Sequence, residues 1–167
     1  MVNQKNIIVA GLLIVCGIIV FFIFSQSDEA KIKKQFQKLS EKIDKNGVEH
    51  DLIAAKAAHE IEQMFTGSVR IQIPSYSVDK TFPRSEISPH VLYARALYQK
   101  MALEFHDFQI AIAEGNTTAV VGLTGIFKAT TASNERVDEV HEVECTLEKI
   151  KEEWMFTGIE GVEVLEK

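Results

Sequence analysis

The chain has 167 residues, 46% of them hydrophobic, and its 24 acidic residues outnumber its 18 basic ones to give a net charge of −6. This length predicts one domain of ordinary size with a short appendage, and three prolines, nine glycines and two cysteines exclude collagen-like, low-complexity and disulfide-scaffold classes. The excess of acid argues against nucleic acid as a partner, because phosphate binding requires a basic surface.

The first predicted element is an apolar run from Asn6 to Phe24 that contains no charged residue. As a helix it spans roughly 28 Å at about 1.5 Å per residue, which matches the apolar core of a bilayer. A cleaved secretory signal is the alternative, with Ser25-Gln26-Ser27 as its cleavage site, but the run is longer than an ordinary signal core. The predicted division of the chain is a tail at 1–5, a transmembrane helix at 6–24, a juxtamembrane linker at 25–30 and one domain at 31–167.

This run predicts a single-pass membrane location. The lysines that follow it favour a cytoplasmic domain by the positive-inside rule. Against this, Asp28 and Glu29 lie nearest the membrane, and long domains cross it largely regardless of charge. An extracytoplasmic domain, on the periplasmic side of a bacterial membrane, is therefore preferred, and the cytoplasmic orientation stays open.

Two helices are predicted next. Ile32, Phe36, Leu39 and Ile43 recur at helical spacing, and Asn46-Gly47 ends the pattern. The second helix runs from His50 to Phe65. Its apolar face contains Ile53, Ala54, Ala57, Ala58, Ile61, Met64 and Phe65.

A short strand and a third helix follow. Val69, Ile71 and Ile73 alternate with polar residues up to a proline, and 75–86 is predicted to be irregular. Ser88 can cap a helix that has Pro89 in its first turn. The predicted apolar face of this helix is Val91, Ala94, Tyr98, Met101, Ala102 and Phe105.

The remainder of the chain predicts a four-stranded antiparallel meander. Alternation begins at His106 and continues to a hairpin at Gly115-Asn116. Later strands are separated by short polar turns. The predicted strands are 106–112, 117–131, 137–150 and 154–164.

Helices followed by a run of strands indicate an α+β fold with the order αα-β-α-ββββ. Over residues 28–167 this order resembles the nuclear-transport-factor-2-like superfamily, which includes polyketide-cyclase-like (SnoaL-like) proteins and ketosteroid isomerase. Phe65-Thr66-Gly67, the hairpin 114–121 and Glu153-Trp154 before the last strand carry the resemblance. It implies a cone in which a curved antiparallel sheet and the helices enclose a pocket.

Alternation also predicts which side chains line that pocket. A two-residue hairpin loop pairs Phe108 with Leu123 and His106 with Gly125, and it turns His141 inward opposite Gly125 or Phe127. The two histidines are candidate ligand hooks or proton-transfer groups, and core or rim histidines are the alternative. A single bulge would reverse the alternation. The candidate pocket residues are Tyr98, His106, Phe108, Gly125, Phe127, His141 and Cys145.

Three functions remain open. The first is a protein-interaction or assembly scaffold, a layout that resembles single-span scaffold proteins of bacterial type IV secretion systems and membrane-anchored accessory proteins of lipid-uptake complexes. The second is a pocket for a small apolar ligand, and the third is a lyase or isomerase. No catalytic residue, metal site or cofactor is predicted, so a non-enzymatic function is preferred. The predicted partners are a membrane, a protein or a second copy of the chain, and a small apolar ligand, with homodimerisation left open.

Overall fold

A computed structural model describes residues 27–74 and 77–162. The predicted tail, the predicted transmembrane helix and the predicted cleavage site at 25–27 fall wholly or mainly outside these residues. The elements in chain order are α1 (Asp28–Ile43), β1 (Lys45–Asn46), α2 (Asp51–Glu62), β2 (Phe65–Ile73), β3 (Val78–Pro83), a 3₁₀ turn (Arg84–Glu86), α3 (Ile87–Leu97), β4 (Tyr98–Ile112), β5 (Thr118–Thr131), β6 (Arg136–Ile150) and β7 (Glu153–Gly161).

The strands form one seven-stranded sheet in the order β1-β4-β5-β6-β7-β2-β3. All pairs are antiparallel except β2 with β7, which are parallel. Long hairpins join β4 to β5 and β5 to β6, and Gly115 and Asn116 adopt positive φ in the first turn, as their sequence predicts. The predicted α+β architecture is confirmed, with two additional strands.

Helix α1 lies across one face of the sheet and contributes its apolar stripe to the core. Ile32, Phe36 and Leu39 are buried along it. The Phe36 ring contacts Phe105 and Phe108 of β4 and Phe156 of β7, with centroids 5.2, 5.4 and 5.0 Å apart in edge-to-face geometry. This aromatic cluster holds the helix against β4 and β7, which are separated in the sheet by β5 and β6.

The first turn of α1 is fixed by polar contacts. The Ser27 hydroxyl accepts a hydrogen bond from the Ala30 amide, so helix begins inside the predicted linker. Trp154 Nε1 donates to Asp28 Oδ1 at 3.1 Å, and Lys149 Nζ lies 3.0 Å from the same oxygen. Burial acts to raise the pKa of Asp28, but the hydrogen bonds from Lys149 and Trp154 outweigh it and the pKa is lowered.

The third helix is shorter than predicted. It begins at Ile87, one residue before the expected cap, and ends at Leu97. Residues from Tyr98 to Ile112 form one continuous strand instead. Met101, Leu103 and Phe105 alternate on the inner side of this strand, and their pairing with β5 outweighs the helical spacing of the same segment.

Two further expectations are wrong. Part of the predicted irregular stretch forms β3, which pairs with β2 from Ser68 opposite Pro83 to Ile73 opposite Val78. Ile53 was expected on the buried face of α2, but it is 55% exposed. The buried face of α2 is narrower and consists of Ala57, Ala58 and Ile61.

The predicted membrane location is also corrected. Among residues 27–74 and 77–162, no helix combines the length and the apolar character that crossing a bilayer requires. The three helices described there pack on the sheet or on one another. This finding corrects the prediction of a single-pass membrane protein with an extracytoplasmic domain as far as the described residues go, and the predicted span at 6–24 lies outside them.

Candidate functional site

An apolar cavity of about 430 Å³ lies between α3 and the strands β2, β3, β5 and β7. Its walls are hydrophobic apart from two residues, His90 and Arg95. The hydrophobic lining residues are Ile43, Phe65, Ile71, Val78, Phe82, Ile87, Val91, Ala94, Met101, Phe127 and Ile159. The volume lies within the range of small-molecule sites, about 300–1,000 Å³.

Arg95 lies beside the cavity, but its guanidinium is already occupied. The side chain is 4% exposed, and its Nε and Nη2 donate to the two carboxylate oxygens of Glu49 at 2.9 and 2.6 Å. Nη1 donates to the carbonyls of Lys42 and Ile43 at 2.9 and 3.3 Å, at the carboxyl end of α1. Arg95 therefore neutralises that helix end and braces α3 against α1.

The partners of Arg95 complete a closed polar cluster. Lys45 Nζ donates to the backbone carbonyls of Arg95 and, at 2.7 Å, of Tyr98. The hydrogen bond from Arg95 holds the pKa of Glu49 below its ordinary value of 4.5, against the opposing effect of burial. Because these groups satisfy one another, the cluster supports the cavity wall and offers a ligand no unpaired charge.

His90 is the polar side chain of the lining that is free to meet solvent. It lies on α3 with an exposed side chain, and its ring packs edge-to-face on Phe82, with centroids 5.6 Å apart. Lys80 Nζ lies 4.6 Å from the Phe82 centroid. The cavity thus joins an aromatic wall to a hydrogen-bonding imidazole at its edge.

The expected pair of inward histidines is not formed. A bulge between His106 and Gln109, with Asp107 at φ 55°, shifts the β4–β5 register, so His106 lies opposite Thr124 and on the outer face. His106 contacts Glu104 at 3.4 Å. The predicted pairing of His106 with Gly125 is therefore wrong.

His141 pairs with Gly125, as its register predicts. Its side chain is 44% exposed and contacts Glu139 at 3.3 Å. A Cβ built at Gly125 would meet the His141 carbonyl oxygen at 3.8 Å as its nearest neighbour. Neither His141 nor Gly125 belongs to the lining of the apolar cavity.

The other predicted pocket residues are dispersed. Phe127 lines the cavity and packs edge-to-face on Tyr98, with centroids 5.8 Å apart, while Tyr98 faces a second groove between α2 and α3. Phe108 packs on Phe36 in the core. Cys145 is 4% exposed, and burial raises the pKa of its thiol to about 12, so it is unreactive packing.

Sequence reasoning missed most of this site, because the cavity depends on β3 and on the first half of α3. Val78 and Phe82 alternate weakly on β3, but charged residues stand between them. Two features of the sequence could have indicated the cavity, namely this weak alternation and the helical pattern around His90. The Arg95–Glu49 pair joins residues far apart in sequence, and no local pattern indicates it.

Comparison with known proteins identifies the fold and nothing finer. No protein-family model and no curated protein matches the chain. Solved structures do match, including a protein assigned as an aromatic ring hydroxylase from Novosphingobium aromaticivorans, with 12% identity, a TM-score of 0.67 and coverage of 83% of this chain and 90% of that one.

Two further structures from the same organism are similar. One is assigned as a scytalone dehydratase, with 13% identity, a TM-score of 0.63 and coverage of 83% of this chain and 85% of that one. The other is a nuclear-transport-factor-2-like protein with a cystatin-like fold, with 10% identity, a TM-score of 0.60 and coverage of 100% and 94%. The fold is that of the nuclear-transport-factor-2-like proteins. At these identities the likeness carries no activity or site residue to this chain.

Proposed function

We propose that the protein binds a small, uncharged, apolar molecule in the cavity between α3 and the sheet. The observation that carries this proposal is the lining itself, which is hydrophobic apart from His90 and the fully engaged Arg95. An apolar wall stabilises an apolar ligand by removing its surface from water, and a single polar group at the edge can orient it. The similar structures assigned as a hydroxylase and a dehydratase keep a reaction at such a site open.

The class of ligand follows from shape and charge. A charged molecule would lose its hydration without gaining a partner, because Arg95 already binds Glu49 and the helix carbonyls. Phe65, Phe82 and Phe127 present aromatic surface to the cavity. A neutral aromatic or alicyclic molecule with one hydrogen-bonding end, directed to His90, fits these walls best.

The test is titration of the full chain with N-phenyl-1-naphthylamine, a neutral fluorophore whose emission rises in apolar surroundings. We expect a saturable increase from one site. Ala94→Phe fills the cavity and should weaken binding by at least about tenfold, equivalent to about 1.4 kcal/mol.

Ala96→Phe is the matched control, because Ala96 is an exposed residue of the same helix that does not line the cavity. It should change the affinity by less than about twofold. Far-ultraviolet circular dichroism of both variants checks that the fold is kept. Equal weakening by the two variants, or no saturable binding by the unsubstituted chain, would contradict the proposal.

A second candidate is self-association through the outer faces of α2 and α3. Large hydrophobic side chains are exposed there, with Leu52 at 82% and Tyr93 at 71%. Beside them lies a groove of about 630 Å³ whose walls include Val48, Leu92 and Leu97. About a two-fold axis, the protruding side chains of one copy can insert into the apolar groove of the other. We therefore propose a second copy of the chain as the occupant.

Sedimentation equilibrium distinguishes this candidate. We expect a dimer that Leu52→Asp dissociates, because the substitution places a charge in the buried centre of the contact. Val140→Asp makes the same change at a side chain that is 61% exposed on β6 and should leave the dimer intact. A monomeric chain, or dissociation by Val140→Asp alone, would exclude this interface.

A further inference from the structure

Three basic residues meet on the outer face of the sheet. Lys100 of β4 pairs with Thr130 of β5, which pairs in turn with Arg136 of β6. Lys128 precedes Thr130 by two residues and therefore shares its face. Strand spacing places the Cα atoms of Lys100 and Arg136 roughly 10 Å apart, with Lys128 roughly 8 Å from each.

This triangle surrounds a groove of about 450 Å³ at the end of the sheet that includes β1. Ala102 and Thr130 are small residues in the cross-strand rows between the cations, so they leave space above the sheet. Asn46 pairs with Lys100 and adds an amide to the same row. The groove lies on the opposite face from the apolar cavity, because Phe127 lines the cavity and Lys128 lines the groove.

The three cations have no acidic partner within the described part of the chain. No ion pair or side-chain hydrogen bond there involves Lys100, Lys128 or Arg136. Asp138 is directly opposite Lys128 in the ladder, yet the two side chains form no salt bridge. Lys128 is a diagonal cross-strand neighbour of both Lys100 and Arg136, so these like charges repel one another and a bound anion would reduce that repulsion.

The net charge of the groove is positive although that of the chain is −6. Its lining contains Lys45, Lys100, Lys128 and Arg136 against Asp44 and Asp138. Lys45 adds its charge but directs its ammonium group to the backbone carbonyls of Arg95 and Tyr98. A lining of four basic and two acidic residues matches a compact dianion.

We propose that this groove binds the phosphate group of a small soluble molecule. Three neighbouring cations, one of them a guanidinium, can together bind the oxygens of a tetrahedral dianion. A carboxylate needs fewer partners, because one arginine can bind both of its oxygens. An extended polyanion would also contact the acidic surface around the groove and would be repelled there. A single phosphate group interacts mainly with charges inside the Debye length of about 8 Å and is attracted.

The test is calorimetric titration of the full chain with inorganic phosphate at constant ionic strength. We expect saturation at one site with a dissociation constant of about 1 mM or tighter. The double variant Lys128→Gln, Arg136→Gln should weaken binding by at least about tenfold. The double variant Lys33→Gln, Lys34→Gln removes the same charge from an exposed face of α1 and should change the constant by less than about twofold.

Two further arms define the ligand chemistry. Acetate should bind at least about tenfold more weakly than phosphate, because it carries one charge and cannot engage all three cations. Vesicles with an anionic lipid and duplex DNA should show no binding beyond that of the Lys128→Gln, Arg136→Gln variant. Absence of saturable phosphate binding, equal weakening by both double variants, or tighter binding of either polyanion would overturn the proposal.

Discussion

Arg95 illustrates how a buried charge can be structural although it borders a cavity. Its bidentate contact with Glu49 and its bonds to the carbonyls of Lys42 and Ile43 use the guanidinium donors that a ligand would need. Removal of either member of such a pair leaves the other buried without compensation, which costs more than the pair contributes. The cavity wall is therefore most stable when Glu49 is ionised.

Glu49→Gln should lower the free energy of unfolding at neutral pH by about 3 kcal/mol. The pKa of Glu49 is lowered in the folded protein, so the ionised group stabilises the fold above its unfolded pKa of about 4.5. That contribution is lost as the pH falls through the lower, folded pKa. The difference between the variant and the unsubstituted chain should therefore shrink on acidification from about pH 5 to about pH 3.

Urea unfolding at a series of pH values measures this effect. Glu114→Gln is the control, because Glu114 is exposed in the β4–β5 turn. Its effect should stay within about 0.5 kcal/mol at each pH. A gap between Glu49→Gln and the unsubstituted chain that is independent of pH would show that the ionisation of Glu49 does not stabilise the fold.

At the scale of single elements, the bulge in β4 determines which face each side chain occupies. Before it, Phe105 faces the core while His106 faces outward, and after it Phe108 faces the core again. One extra residue therefore allows two phenylalanines three positions apart to contact the same ring of α1. Strict alternation places His106 inside, because it contains no information about the positive φ of Asp107.

Phe36 is the residue through which α1 depends on this arrangement. Phe36→Ala removes a ring that is 1% exposed and in contact with three other phenylalanines. It should lower the free energy of unfolding by about 3–5 kcal/mol, because the surrounding sheet can close the space only in part.

Val162→Ala is the control for this prediction, since the Val162 side chain is 48% exposed just after the end of β7. It should change the free energy of unfolding, measured in urea, by less than about 0.5 kcal/mol. A loss below about 1 kcal/mol for Phe36→Ala would mean that α1 is not an integral part of the core.

At the scale of the whole molecule, local patterns predicted the long hairpins but not the pairing of β2 with β7. Strands β5 and β6 alternate over their whole length, so their bounds and register followed from the sequence. The parallel pairing of β2 with β7 joins segments about half the chain apart, and no periodicity records it. The cavity lies beside this pair of strands, which explains why Phe127 was the one predicted pocket residue in its lining.

The central position of β6 in the sheet makes Cys145 a probe of global unfolding. It lies on β6 between β5 and β7, and burial raises the pKa of its thiol to about 12. In a Cys16→Ser background, a disulfide reagent at about pH 8 should not label the native protein, because the thiol is both neutral and inaccessible. In concentrated guanidinium chloride it should label one thiol.

Ser133→Cys in the same background is the matched control, since Ser133 is exposed in the β5–β6 turn. Its thiol should react immediately under native conditions, leaving Cys145 protected. Fast labelling of Cys145 in the folded chain would instead show that β6 opens locally.

The hydrogen bond between Trp154 and Asp28 gives the protein a built-in optical reporter. Trp154 is the single tryptophan of the chain, and it is 2% exposed with its indole N–H directed at the first turn of α1. Light emitted on excitation near the red edge of protein absorption therefore comes from one site, where a helix end, Asp28 and Lys149 meet. Detachment of that helix end would expose the indole to water and shift its emission to longer wavelength, while the strands of the sheet stayed paired. Fraying at the amino-terminal end of the fold is thus visible apart from its collapse, without any added label.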